Sequence, residues 1–190
     1  MGEADRYGEN LAELGLSRGF MRIVGLAGWS GAGKTTLLVR VIPVLVARGL
    51  RVSTIKHAHH RFDIDHPGKD SHRHRTAGAT EVLICSGERW ALMHEMRGAA
   101  EPTLRELLSK LDAVDLVIIE GYKRDRHPKL EVHRPAVGKP LIYSEDRDIF
   151  AVASDEKLAG AGVPVIDLAD AEAIADALIA HAVDIATVDS

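Results

Sequence analysis

Gly28-Trp29-Ser30-Gly31-Ala32-Gly33-Lys34-Thr35 has the complete spacing G-x-x-x-x-G-K-T. Glycines at these positions let a backbone bend and come close to a ligand. Successive N–H groups then point at phosphate oxygens, and the N-terminus of a following helix adds positive potential. The flanks match. Arg22-Ile23-Val24-Gly25-Leu26-Ala27 is a short apolar run, as a buried parallel strand should be, and residues 36–48 carry helical spacing. Strand, glycine loop and helix in this order predict a nucleotide triphosphate site. The nucleotide-binding set is then Gly28, Ser30, Gly31, Ala32, Gly33, Lys34, Thr35 and Thr36. Lys34 would bridge the terminal phosphates, and Thr35 would offer its hydroxyl to Mg²⁺.

Composition narrows the class. A chain of 190 residues can bury one sizeable core, and 46% hydrophobic with 27% charged residues is globular. A net charge of −4 argues against general nucleic-acid binding. No apolar run approaches the roughly 20 residues of a membrane span, and no signal peptide is visible. The single cysteine, Cys85, lies in an apolar run and reads as a buried small hydrophobe in a reducing, cytoplasmic protein.

Residues 1–20 read as a flexible N-terminal extension, with Leu11, Leu14 and Leu16 able to form a short helix. Residues 21–185 read as one domain. Leu37, Leu38, Val41, Ile42, Leu45 and Val46 give the first core helix an apolar stripe, bent at Pro43 and capped by Gly49. Strands follow at 51–56, 81–85 and 89–94, the last two joined by a hairpin turn, then at 115–121, 129–134, 141–143, 149–153 and 163–166. Short helices are expected at 69–77 and 102–111, and a closing helix at 171–183. The fold class is therefore α/β, three-layer, with a mainly parallel sheet.

The other candidate site residues sit at strand ends. Leu116-Val117-Ile118-Ile119 would deliver Glu120 to the sheet edge, where a carboxylate can hold Mg²⁺ through water or orient an attacking water. Lys34 and Glu120 are the candidate catalytic groups. Asp63, Asp65 and Asp70 compete for the direct Mg²⁺ contact, with Asp65 or Asp63 favoured and Asp70 able to cap the next helix instead. Lys56, His57, Asp63, Asp70, Arg73 and Arg75 could meet phosphate or a partner. His57, His59 and His60 have spacing that could hold Ni²⁺ or Zn²⁺. The only Asn is Asn10, so no Asn-Lys-x-Asp guanine motif exists. Asp155, after a late strand, can accept guanine N1–H and N2–H, or can cap a helix.

These residues carry a resemblance. The loop, Thr54-Ile55-Lys56-His57, Phe62-Asp63-Ile64-Asp65, Pro67-Gly68-Lys69-Asp70-Ser71 with Arg73, His74 and Arg75, Ala77-Gly78-Ala79, Ile119-Glu120-Gly121-Tyr122-Lys123 and Pro128-Lys129-Leu130-Glu131 together resemble the molybdopterin-guanine dinucleotide biosynthesis adapter (MobB) family over about residues 21–167. The resemblance implies a P-loop GTP-binding domain using GTP and Mg²⁺, at most a weak GTPase, and a homodimer. It implies a partner, the molybdenum cofactor guanylyltransferase that joins GMP to molybdopterin, and leaves open whether molybdopterin touches this chain. It places Gly31, Gly33, Lys34 and Thr35 on phosphate and Mg²⁺. It also implies a β-hairpin extension, about 128–145, that extends the sheet and helps dimerise. Two other readings stay open at this stage: a small-molecule kinase, with Lys123, Arg124 and Arg126 as the nearest lid, and a metal-centre accessory GTPase using the histidines.

Overall fold

The computed structural model describes residues 21–58, 62–123 and 125–187. The chain divides into two compact units, one built from residues 1–57 and 104–190, the other from 58–103.

The larger unit is a sheet. β1 (Arg22–Ala27) lies at its centre, parallel to β5 (Leu116–Glu120) on one side and β6 (Lys129–His133) on the other. β2 (Val52–Lys56) pairs with the far side of β5, and β7 (Ile149–Ser154) and β8 (Val165–Asp167) continue beyond β6, all parallel. β9 (Val183–Asp184) runs antiparallel to the start of β1. Parallel pairing puts the carboxyl ends of these strands at one edge, where α/β proteins hold ligands.

Alternation along the buried strands feeds two cores. Val24, Leu26, Leu116, Ile118, Leu130 and Val132 pack against α1 (Lys34–Ala47) and α4 (Ala171–His181). Ile23, Val117 and Ile119 point the other way, onto Leu104 and Leu108 of α3 (Leu104–Leu108). Each fully buried Leu or Ile contributes about 1.5–3 kcal/mol. Asp170 caps α4 by accepting from the Ala173 N–H at 2.9 Å. Arg22 donates to the Ile179 and Ala182 carbonyls at the other end of α4, satisfying groups a helix terminus leaves unpaired.

Three expectations need correction. Lys129–His133 is an interior strand, not part of an extension. No strand forms at 141–143, which lies in a turn region. The hairpin expected at 81–85 and 89–94 does form, as β3 (Glu81–Cys85) antiparallel to β4 (Trp90–His94) in the smaller unit. Cys85 is exposed. Among the described residues β3 pairs only with β4, and Leu83 and Cys85 are exposed together with Leu92 and Trp90. The expected helix around Leu11 lies outside the described residues.

β6 carries Lys129, Glu131 and His133 on one face, all buried. Lys129 Nζ meets Asp146 at 3.1 Å. Next to it, His127 is buried with Nδ1 unpaired, and its ring covers Gly25, where an added Cβ would lie 2.4 Å from Nε2. Burial, reinforced by Lys129 and opposed by Asp146 and Asp148, pushes the His127 pKa down from 6.5 to about 4. The unfolded chain therefore takes up a proton between these values that the folded one refuses. This contribution to stability is complete above pH 6.5 and disappears toward pH 4, at most about 3 kcal/mol. In urea titrations at stepped pH, His127→Leu should lose less stability across this window than the unaltered protein; an equal loss would contradict this assignment.

Candidate nucleotide site

The loop between β1 and α1 is held open by backbone conformation. Gly28, Gly31 and Gly33 have φ of 146°, 83° and 97°. A Cβ on Gly28 would sit 2.6 Å from the Val132 carbonyl, so β6 requires glycine there. Gly33 is the N-cap of α1, and its carbonyl accepts from Leu37 N–H at 2.9 Å. Ala32 is buried, whereas Ser30, Gly31, Thr35 and Thr36 are exposed.

Lys34 folds back over the loop. Its Nζ donates to the Gly28 carbonyl at 2.9 Å and the Trp29 carbonyl at 3.1 Å. Burial holds its pKa below that of an ordinary lysine; Lys123 and Lys56 press the same way and Glu120 opposes them. Glu120 ends β5, buried, in register with Lys56 of β2 and Leu26 of β1. Lys56 Nζ lies 3.6 Å from Glu120 Oε1 and 3.4 Å from Thr35 Oγ1. A hydroxyl and a carboxylate thus converge on one cationic nitrogen. These are hard oxygen donors, and they fit Mg²⁺.

The surrounding groups are positioned by the loops. Gly121, at φ 102°, lets His57 pack closely, and the His57 ring lies 5.2 Å from that of Tyr122. Lys123 stands over the Trp29 ring at 4.6 Å, with Lys139 at 5.8 Å. Trp29 Nε1 donates to the Pro140 carbonyl at 2.8 Å. Asp155 follows β7 and accepts from Arg134 at 3.2 Å. No helix follows Asp155 within the described residues up to Leu168, so it does not serve as an N-cap there. Arg134 in turn lies beside Gly33, its Nε 3.2 Å from where a Cβ would be.

The remaining candidates lie in the smaller unit, organised by Arg75 of α2 (Asp70–Thr76). Arg75 reaches Asp63 at 2.7 Å, Glu95 at 2.8 Å and Asp65 at 3.3 Å. Asp65 also accepts from Ser71 Oγ at 2.8 Å and His66 N–H at 2.9 Å. The Arg75 hydrogen bond holds the Asp63 carboxyl below the usual range. Asp65 and Asp63, expected as metal ligands, are thus engaged within this unit. Asp70 opens α2, whose N-cap is Lys69, and Arg73 lies 3.9 Å from it on an exposed surface. His59, His60 and Arg124 lie outside the described residues. Arg126 pairs with Asp148 at 3.6 Å. Among the described residues no group of three or more His, Cys, Asp and Glu side chains is placed to hold a metal ion. No helix there is long and apolar enough to cross a membrane.

The family described as MobB, molybdopterin guanine dinucleotide synthesis protein B, matches residues 23–155. The chain belongs to the MobB family. It is 42% identical to the Escherichia coli (strain K12) molybdopterin-guanine dinucleotide biosynthesis adapter protein, over 83% of this chain and 91% of that one. It is 43% identical to the Haemophilus influenzae protein of the same name, over 72% and 76%. A crystal structure of molybdopterin-guanine biosynthesis protein B superposes with a TM-score of 0.67 at 28% identity, covering 83% of this chain and 98% of that one. The P-loop nucleotide-binding fold of the family is the one described above.

The Arg134–Asp155 pair and the lysines over Trp29 have no local signature in the sequence, because both join distant loops. The same holds for the anchor of the 140–143 segment. That anchor is Glu131, fully buried, accepting from Ile142 N–H at 2.8 Å and Tyr143 N–H at 2.9 Å. Glu131→Ala would orphan both donors and free the segment that holds Trp29. We expect a loss of about 2–4 kcal/mol in urea unfolding and a red-shifted Trp29 emission. Unchanged emission would show that Trp29 does not depend on this anchor.

Proposed function

We propose that this chain is a cytoplasmic GTP-binding adapter that, with Mg²⁺, assists the guanylyltransferase attaching GMP to molybdopterin. The observation that carries the reading is the preformed phosphate loop, with Lys34 bridging two of its carbonyls in a member of the MobB family. Lys34 would leave those carbonyls for phosphate oxygens of the nucleotide, and the N–H groups at the start of α1 would cradle the phosphates. Thr35 and Glu120 would hold Mg²⁺, directly or through water. Asp155, oriented by Arg134, would accept guanine N1–H and N2–H. Bound Mg²⁺ supplies charge neutralisation to the phosphates. Hydrolysis is at most slow, with Glu120 the residue placed to orient water. Asp63 and Asp65 stay with Arg75 and hold the smaller unit together. The protein acts as a homodimer.

The test is a titration with fluorescent GTP and ATP analogues in Mg²⁺. GTP should bind tighter than ATP, and Asp155→Ala should narrow that gap. Lys34→Ala should weaken GTP binding about 100-fold, because two charge-assisted contacts at about 1.5 kcal/mol each are lost. Unchanged affinity in Lys34→Ala would overturn the phosphate assignment. Equal binding of both nucleotides would overturn the guanine reading and favour the kinase.

A further inference from the structure

The cation between Thr35 and Glu120 belongs to the protein itself. Lys56 ends β2 directly opposite Glu120 at the end of β5, so sheet register fixes where its stem begins. Its nitrogen lies within 3.4 Å of the Thr35 hydroxyl and 3.6 Å of the Glu120 carboxylate. These are the two oxygens assigned above to the metal. Lys34 cannot play the same part in the free protein, because its nitrogen is tied to the Gly28 and Trp29 carbonyls.

We propose that Lys56 is a built-in substitute for the divalent cation, holding Thr35 and Glu120 in place until the metal displaces it. This rests on the Mg²⁺–nucleotide reading. Two features support the exchange. An ammonium nitrogen and Mg²⁺ cannot share the space between these oxygens, since Mg²⁺ draws its ligands to about 2.0–2.1 Å and repels a neighbouring cation. The Lys56 side chain is 58% exposed and flexible, so it can swing to solvent or to a phosphate oxygen without disturbing the core. Its departure also removes one of the two lysines pressing on Lys34. Lys56 is a positioning residue: it acts on the metal ligands, and in the absence of metal it offers charge to the phosphates.

The proposal predicts coupling between Lys56 and the metal. The dissociation constant of a fluorescent GTP analogue is measured in EDTA and in saturating Mg²⁺ for the unaltered protein, Lys56→Met and Lys56→Arg. The ratio of the two constants reports how much binding depends on metal. Lys56→Met should raise this ratio about tenfold, because the metal-free state loses its substitute charge while the metal loses its competitor. Lys56→Arg should keep the ratio near that of the unaltered protein. An unchanged or smaller ratio in Lys56→Met overturns the proposal, even if that variant binds more weakly in both conditions. Failure of the unaltered protein to bind GTP in Mg²⁺ is a separate outcome, and it overturns the nucleotide reading and this proposal together.

Discussion

Glu120 is the charge around which the nucleotide edge is arranged. It is buried at the end of β5, and its carboxylate is offset by Lys56 at 3.6 Å and by attraction to Lys34. At an effective dielectric of about 20, two unit charges at that separation attract by roughly 5 kcal/mol before solvation is counted. Solvation and side-chain entropy remove most of this for a pair with one exposed partner, leaving about 0–1 kcal/mol. Such an arrangement is ordered yet cheap to rearrange. Lys34 is similarly poised: partly buried, and held by carbonyls rather than by an anion.

The sheet makes this edge possible. Parallel pairing of β2, β5, β1 and β6 brings Lys56, Glu120, the phosphate loop and Val132 to one end. The glycines then fit the available space: Gly28 under Val132, Gly121 against His57, and Gly25 beneath His127. The smaller unit relies on charge. A network centred on Arg75 ties Asp63, Asp65 and Glu95 together, while much of the β3–β4 pair remains exposed.

Local signals made much of this legible in the chain. β1, the loop and α1 coincide in period, glycine placement and the Lys-Thr pair, and Glu120 ends an unbroken apolar strand. Legibility failed where a partner lies far away in sequence. Lys129-Leu130-Glu131-Val132-His133 alternates like a half-exposed strand, yet it is interior, because Asp146 and the N–H groups of Ile142 and Tyr143 satisfy its polar face. Cys85 sits in an apolar run that suggests a core, but among the described residues its strand has one neighbour, and the side chain is exposed. Asp63 and Asp65 have the chemistry of metal ligands, and only folding reveals that Arg75 engages both.

The most direct test of this account is a crystal structure of the full chain with a non-hydrolysable GTP analogue and Mg²⁺. The account predicts that Lys34 Nζ leaves the Gly28 and Trp29 carbonyls for the terminal phosphates, with the loop backbone and the start of α1 unmoved. A nucleotide bound elsewhere, or bound here with Lys34 still on those carbonyls, would contradict it.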